Sequence, residues 1–224
     1  MNEKNWLRTL AERVNPQTTA LIILDMLKAN PDAPPSMEIP RIRGPLQHLI
    51  QLIASGRRVL LPIIYVRNSH SDWTVLANLR YAWSSQPNYS PHHYAEGTRA
   101  VEFHDGLEPK EGEAILIKHS YSAFAHGPLD LMLRCRGIKS VLLTGGAVMG
   151  AVEAAAKECF VRGYYLVVVS DCVVPASGPD HEIVLNQATE RLGAIVAPSD
   201  EIMRVWDALP AKENEGFFGR GETG

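Results

Sequence analysis

Apolar residues fall along the chain in short unbroken runs rather than in strict alternation. Five runs rich in Val, Ile and Leu stand out: Ala20–Leu24, Val59–Val66, Ala114–Ile117, Ser140–Leu143 and Leu166–Val169. A continuous apolar run fits a strand covered on both faces, so the pattern predicts five buried strands. Between them the apolar spacing changes to three and four residues. This predicts helices at about Met37–Ala54, Leu129–Arg136, Met149–Arg162 and His181–Arg191. A further helix near Ser199–Ala208 follows a short Ala194–Ala197 segment. Strand–helix alternation implies an α/β fold: a three-layer, doubly wound, Rossmann-like parallel sheet with right-handed crossovers. The strands ending at Asp25, Lys118 and Leu143 are expected to be neighbours, or separated by one strand at most.

One stretch breaks the alternation. Residues 70–108 are polar, aromatic and interrupted by proline, with Trp73, Tyr81, Trp83, Tyr89 and Tyr94 among them. Structureless stretches this long inside a compact domain are usually lids, binding loops or interface arms. The C-terminal tail, 210–224, is polar and Gly-rich apart from Phe217 and Phe218.

The length of 224 residues suits a single domain spanning 1–224. Hydrophobic residues make up 46% and charged residues 21%, and the formal net charge is −3. No block of Lys and Arg marks a nucleic-acid or anionic membrane partner. The opening MNEKNWLRTL lacks the apolar core of a signal peptide, and no apolar run approaches the ~20 residues of a membrane span. The three cysteines, Cys135, Cys159 and Cys172, do not suggest a disulfide framework. A cytoplasmic location is therefore expected. Aromatic residues in the long loop and Phe217 and Phe218 in the tail both need cover, which points to a homo-oligomer.

Ligands of open α/β sheets bind beyond the carboxyl ends of the strands. The residues there are Asp25 after strand one, Arg67 and Asn68 after strand two, and Lys118 and His119 after strand three. Thr144, Gly145 and Gly146 follow strand four, and Ser170 and Asp171 follow strand five. Burying Asp25 or Lys118 alone would be costly, so the two are expected to pair. By itself such a pair is equally a structural salt bridge, or an aspartate capping a turn. The turn T-G-G-A-V-M-G-A-V-E from Thr144 feeds a helix, whose free N–H groups could stabilise an anion or lower a thiol pKa. It carries no Ser, Cys or Asp, and a tight turn for close packing explains it equally well.

Taken in order, Asp25 after ALIIL, K-H-S-Y-S-A-F from Lys118 and the Thr144 turn resemble the isochorismatase-like cysteine hydrolases. Supporting matches are Glu96-Gly97-Thr98, Asp130-Leu131 with Arg136-Gly137-Ile138, and Arg162-Gly163-Tyr164 before VVVSDC. The likeness covers about Thr19 to Ala197. It implies a parallel α/β domain, often dimeric or tetrameric, that hydrolyses a small amide, ureide or carbamoyl compound with an Asp–Lys–Cys triad. By motif, Asp25 and Lys118 take the first two places, and the cysteine position falls on Ala151. A methyl group cannot form a thioester. The alanine fits a Cys→Ala substitution that traps substrate, a natural non-cysteine member that hydrolyses a vinyl ether with the aspartate as acid, or a catalytically dead binding protein. The otherwise intact machinery favours the first.

The resemblance further implies an oxyanion hole of backbone N–H groups at Ala147 and Ala151, a cis peptide at Gly146–Ala147, and no cofactor. Arg67, Asn68, Trp83, Tyr121 and Phe124 are the candidate substrate contacts, with Trp83 and Phe124 placed to sandwich a planar group. No metal is expected: nicotinamidase-type relatives carry Asp-x-His after strand two, whereas His70-Ser71-Asp72 reverses that order and His92-His93 is only an adjacent pair. Cys159 lies eight residues past Ala151 on the same helix, about 12 Å away at ~1.5 Å per residue, too far to replace it.

Overall fold

A computed structural model describes residues 6–28, 42–85, 94–125, 127–175 and 180–209, apart from the Trp83 side chain. Six strands form one sheet: β1 (Thr19–Leu24), β2 (Ile63–Asn68), β3 (Ala114–Lys118), β4 (Ser140–Gly145), β5 (Tyr165–Val173) and β6 (Ile195–Ala197). Their order is β3-β2-β1-β4-β5-β6, and every pairing is parallel. The helices are α1 (Leu10–Arg13), α2 (Arg43–Arg58), α3 (Ala77–Ser84), α4 (Leu129–Cys135), α5 (Glu153–Val161), α6 (Asp180–Leu192) and α7 (Ser199–Asp207).

The pleat divides the sheet's side chains between two cores. Ala20, Ile22 and Leu24 face α4, α5 and α6, alongside Ala151, Ala155 and Cys159. Leu21 and Ile23 face α2 and α7, alongside Leu49, Ile53, Ile202 and Trp206. All six residues of β1 are buried, as its unbroken apolar run requires of a central strand covered on both faces. β1 lies between β2 and β4, where the strand order reverses, and doubly wound sheets open their ligand crevice at that point.

Several expectations are corrected. β3 is an edge strand: Ile115 and Ile117 are half exposed while Leu116 and Lys118 turn inward. Its apolar run therefore does not mark burial on both faces. β3 lies one strand from β1 but two from β4, further than expected. β2 begins at Ile63 rather than Val59, because Leu60 takes a left-handed φ of 57° and Pro62 follows. β5 runs on to Val173, through a register irregularity opposite Leu143 and Gly145, so Ser170 and Asp171 lie within it and not past its end. The helix expected at Met149–Arg162 divides into a wide turn over Val148–Val152 and α5. The long 70–108 stretch contains α3 and a short 3-10 turn, Arg99–Val101. The tail and residues 37–41 of the helix expected at Met37–Ala54 lie outside the described residues.

Candidate active site

Asp25 follows β1 with φ 48°, and its N–H donates to Val66 O at 2.9 Å. The left-handed conformation takes Asp25 out of the strand's alternation. Its Oδ2 lies 2.7 Å from Lys118 Nζ, on the face that Lys118 shares with Ala114 and Leu116. Asp25 Oδ1 accepts the Asn68 N–H at 2.7 Å, and Lys118 Nζ also donates to Ser120 O at 2.8 Å. Burial pushes the Asp25 carboxyl above its ordinary value. The Lys118 charge and hydrogen bond, with the Asn68 N–H, pull it back in part.

The turn after β4 stands directly beside this pair. Leu24 and Gly145 are register partners, and Gly146 N–H donates to Leu24 O at 2.7 Å. Gly145 has φ 100°, and a side chain there would collide with the Leu24 backbone, so the position demands glycine. The Gly146–Ala147 peptide is cis. Ala147 is exposed at the head of the turn, and Val152 N–H reaches back five residues to Ala147 O at 3.3 Å. Ala151 is buried on the inner side of the turn, just ahead of α5.

The aromatic and polar candidates divide. Asn68 is buried with its Oδ1 unpartnered, and it is the register partner of Lys118. The Tyr121 ring is half exposed and lies over Gly150, where an added Cβ would stand 3.4 Å from Tyr121 Cδ1. Arg67 does not join them. Tyr65 and Val66 belong to opposite cores, so the pleat sends Arg67 away from the Ala151 face, and Arg67 Nη1 donates to Val101 O at 3.4 Å. Phe124 is a core residue, not a rim aromatic. Its ring packs 6.5 Å from that of Tyr164 and lies beneath the Arg162 guanidinium at 4.9 Å, so the expected sandwich with Trp83 lacks one wall.

Asp171 also leaves the site, since its carboxylate accepts from both Ser199 N and Ser199 Oγ at 2.8 Å and anchors the start of α7. Cys159 and Cys172 are buried, and burial raises both thiols well above their ordinary pKa, so neither offers a ready thiolate. Among the described residues no group of three His, Cys, Asp or Glu could hold a metal ion, and His92 and His93 lie outside them.

Sequence reasoning did not place Tyr94 at the site. Successive N–H groups of β2 and its extension point to opposite sides. Asn68 N–H meets Asp25, Ser69 N–H meets Lys118 O at 3.2 Å on the β3 side, and His70 N–H returns to the β1 side to meet Tyr94 O at 2.8 Å. Tyr94 therefore continues the line of β1 beyond Asp25. Burial, and then the nearby Asp25 and Tyr121, raise its phenol above the ordinary value. The available signal was position: Tyr94 stands two residues before the Glu96-Gly97-Thr98 match.

Fold and site together define a doubly wound α/β domain with a buried carboxylate–ammonium pair at its switch point. The Isochorismatase domain family matches residues 19–201, and the chain belongs to this isochorismatase-like hydrolase family. Similar proteins include the ureidoacrylate amidohydrolase RutB of Methylorubrum extorquens, 28% identical over 178 residues and 72% of each chain. The Klebsiella pneumoniae protein of the same name is 28% identical over 180 residues, covering 73% of this chain and 76% of that one. The N-carbamoylsarcosine amidase structure from Thermoplasma acidophilum has 28% identity and a TM-score of 0.70, covering 82% of this chain and 97% of that one. A cysteine hydrolase from Pseudomonas syringae pv. phaseolicola, 22% identical with a TM-score of 0.76, shares the fold over 87% of this chain and 95% of that one.

Proposed function

We propose that this chain binds a small amide, ureide or carbamoyl compound in a C–N hydrolase site that keeps its proton-handling pair and has Ala151 at the nucleophile position. The observation that carries this reading is the buried Asp25–Lys118 contact at 2.7 Å beside the Gly145–Ala151 turn. The amidohydrolase and amidase names of the relatives support the substrate class. Asp25 is the proton carrier, Lys118 holds its charge, and the Ala147 and Ala151 N–H groups receive the carbonyl oxygen. Asn68 and Tyr121 line the substrate's path. As it stands the chain forms no thioester and does not follow the covalent route.

Ala151→Cys supplies the missing group. Asp25 takes the thiol proton, and the thiolate attacks the carbonyl carbon. The C–N bond breaks as Asp25 returns the proton to the leaving amine, and water then cleaves the thioester. The test is ammonia release from ureidoacrylate, N-carbamoylsarcosine and biuret by both forms. Turnover is expected only from the cysteine form, and it is lost on alkylation or with Asp25→Asn. Silence from the cysteine form across the panel overturns the proposal and leaves a binding protein.

The raised Asp25 pKa favours one second reading, in which the carboxyl keeps its proton and acts as acid on a vinyl ether without any cysteine. Hydrolysis of isochorismate by the unaltered chain, abolished by Asp25→Asn, would establish it.

A further inference from the structure

Across the crevice the site positions stand one to a strand. Lys118 closes β3, Asn68 closes β2, Asp25 follows β1 and the turn carrying Ala151 follows β4. β3 and β1 are two strand spacings apart, about 10 Å at ~4.8 Å each, with β2 between them. The Lys118 ammonium nevertheless lies 2.7 Å from Asp25 Oδ2, so the lysine side chain crosses the end of β2 to reach it. Asn68 sits where it crosses. It is the register partner of Lys118, and the alternation from Ile64 and Val66 puts its side chain on the face shared by Lys118 and Ala151. The Asn68 side chain therefore lies beside the ion pair, on the opposite face from Arg67.

The polar atoms of Asn68 are used unevenly. Its backbone N–H donates to Asp25 Oδ1 at 2.7 Å, whereas no group among the described residues donates to its buried side-chain oxygen. Only 3% of the residue reaches solvent. An amide oxygen buried without a donor is costly, and nearly all such atoms in folded proteins are satisfied. The neighbouring cation does not fill the place, since Lys118 directs its ammonium at Asp25 Oδ2 and Ser120 O. Beside a carboxylate–ammonium pair and a nucleophile position, the missing donor is one that a ligand supplies. An amide or ureide carries both an oxygen for backbone N–H groups and an N–H for an amide oxygen, while an ester or vinyl ether linkage carries no donor.

Resting on the function proposed above, we propose that Asn68 selects for nitrogen: its Oδ1 accepts an N–H of the bound ligand, next to the carbonyl that undergoes reaction. The ligand class narrows to amides, ureides and carbamoyl compounds that keep an N–H beside that carbonyl. Esters and fully N-substituted amides of the same shape leave Asn68 Oδ1 without a donor and are disfavoured.

The test uses two alkylating reagents on the Ala151→Cys chain, with labelling at position 151 followed by peptide mass spectrometry. Iodoacetamide and methyl iodoacetate share the reactive carbon and the carbonyl, and differ in carrying an amide N–H or an ester oxygen beside it. Asn68→Leu keeps the volume and the backbone N–H to Asp25, and removes the acceptor. It is expected to slow labelling by iodoacetamide by about tenfold, the worth of one hydrogen bond, and to leave the rate with methyl iodoacetate unchanged. Asn68→Ala is expected to give the same split and serves if the leucine variant does not fold. Equal slowing of both reagents would assign Asn68 a structural role and overturn the proposal, as would no slowing of either. Slowing confined to methyl iodoacetate would mean that Nδ2 faces the ligand and would overturn it too. So would a position 151 that neither reagent labels. The readout needs no turnover, so a cysteine form inactive on every amide would sink the proposed function and still decide the role of Asn68.

Discussion

Lys118 Nζ lies 2.7 Å from Asp25 Oδ2, and only 2% of the lysine and 10% of the aspartate side chain reach solvent. Such a pair is held as a unit, since removing one partner leaves a charge buried alone. Burial raises the Asp25 pKa, and Lys118 opposes that rise. A carboxyl whose pKa is raised on folding contributes stability that is complete below its unfolded value and is lost as pH rises through its folded value. Lys118→Met removes the opposing influence, so the folded value climbs further. The variant is expected to lose about 3 kcal/mol of stability near pH 8 and much less near pH 4, measured by urea unfolding. Equal losses at both pH values would contradict an ionised pair.

The close approach of β1 and β4 depends on a missing side chain. Gly145→Ala places a methyl against the Leu24 backbone at a residue with φ 100°. A loss of more than about 3 kcal/mol in thermal or urea unfolding is expected, since strand and turn must separate to admit it. An unfolding midpoint near that of the unaltered chain would show that the turn relaxes freely.

A second ion pair provides a contrast at the other end of β3. Arg57 Nε and Nη2 grip Glu113 Oε1 and Oε2 at 2.7 and 2.8 Å, and Glu113 also accepts the Lys110 N–H. Burial pushes the Glu113 carboxyl up, but these partners outweigh it and hold the pKa below its ordinary value. The sign is opposite to that of Asp25: this stability is present above the unfolded pKa and is lost as pH falls through the folded one. Glu113→Gln is expected to cost about 2 kcal/mol near neutrality, with the deficit shrinking in acid and ligand binding unchanged. Weakened ligand binding by Glu113→Gln would contradict this separation.

Trp73 is 98% and Tyr81 76% exposed in the isolated chain. Large aromatic surface of this kind is expected to be covered by a second copy. Sedimentation should show a dimer or larger species that Trp73→Ser shifts towards monomer. A monomeric mass for the unaltered chain would reject this.

Much of the sheet was legible in the sequence because central strands need apolar side chains on both faces, and TALIIL and SVLL supply them. The edge position of β3 was not legible, since AILI reads as a two-sided strand and a run of residues carries no count of its neighbours. Asp25 and Lys118 could be paired from the cost of burying either alone, a constraint independent of topology. Asp171 and Phe124 show what a linear reading misses. One polar residue near a strand end holds Ser199, and one aromatic beside a site motif packs into the core. Tyr94 was hidden for the converse reason, because only the hydrogen bonds to His70 bring its loop into line with β1.

The β1–β4 pairing also governs how the chain comes into being. Thr19 meets Ser140 and Leu24 meets Gly145, so the centre of the sheet joins early and late segments of the polypeptide. During synthesis β1 emerges long before β4, and its wholly apolar residues wait for a partner not yet made. Long-range parallel pairing of this kind forms slowly and leaves sticky surface in the meantime. A nascent chain that stops short of Gly145 has Asp25 and Lys118 but no turn against which to set them, so the crevice appears only when its last wall is translated.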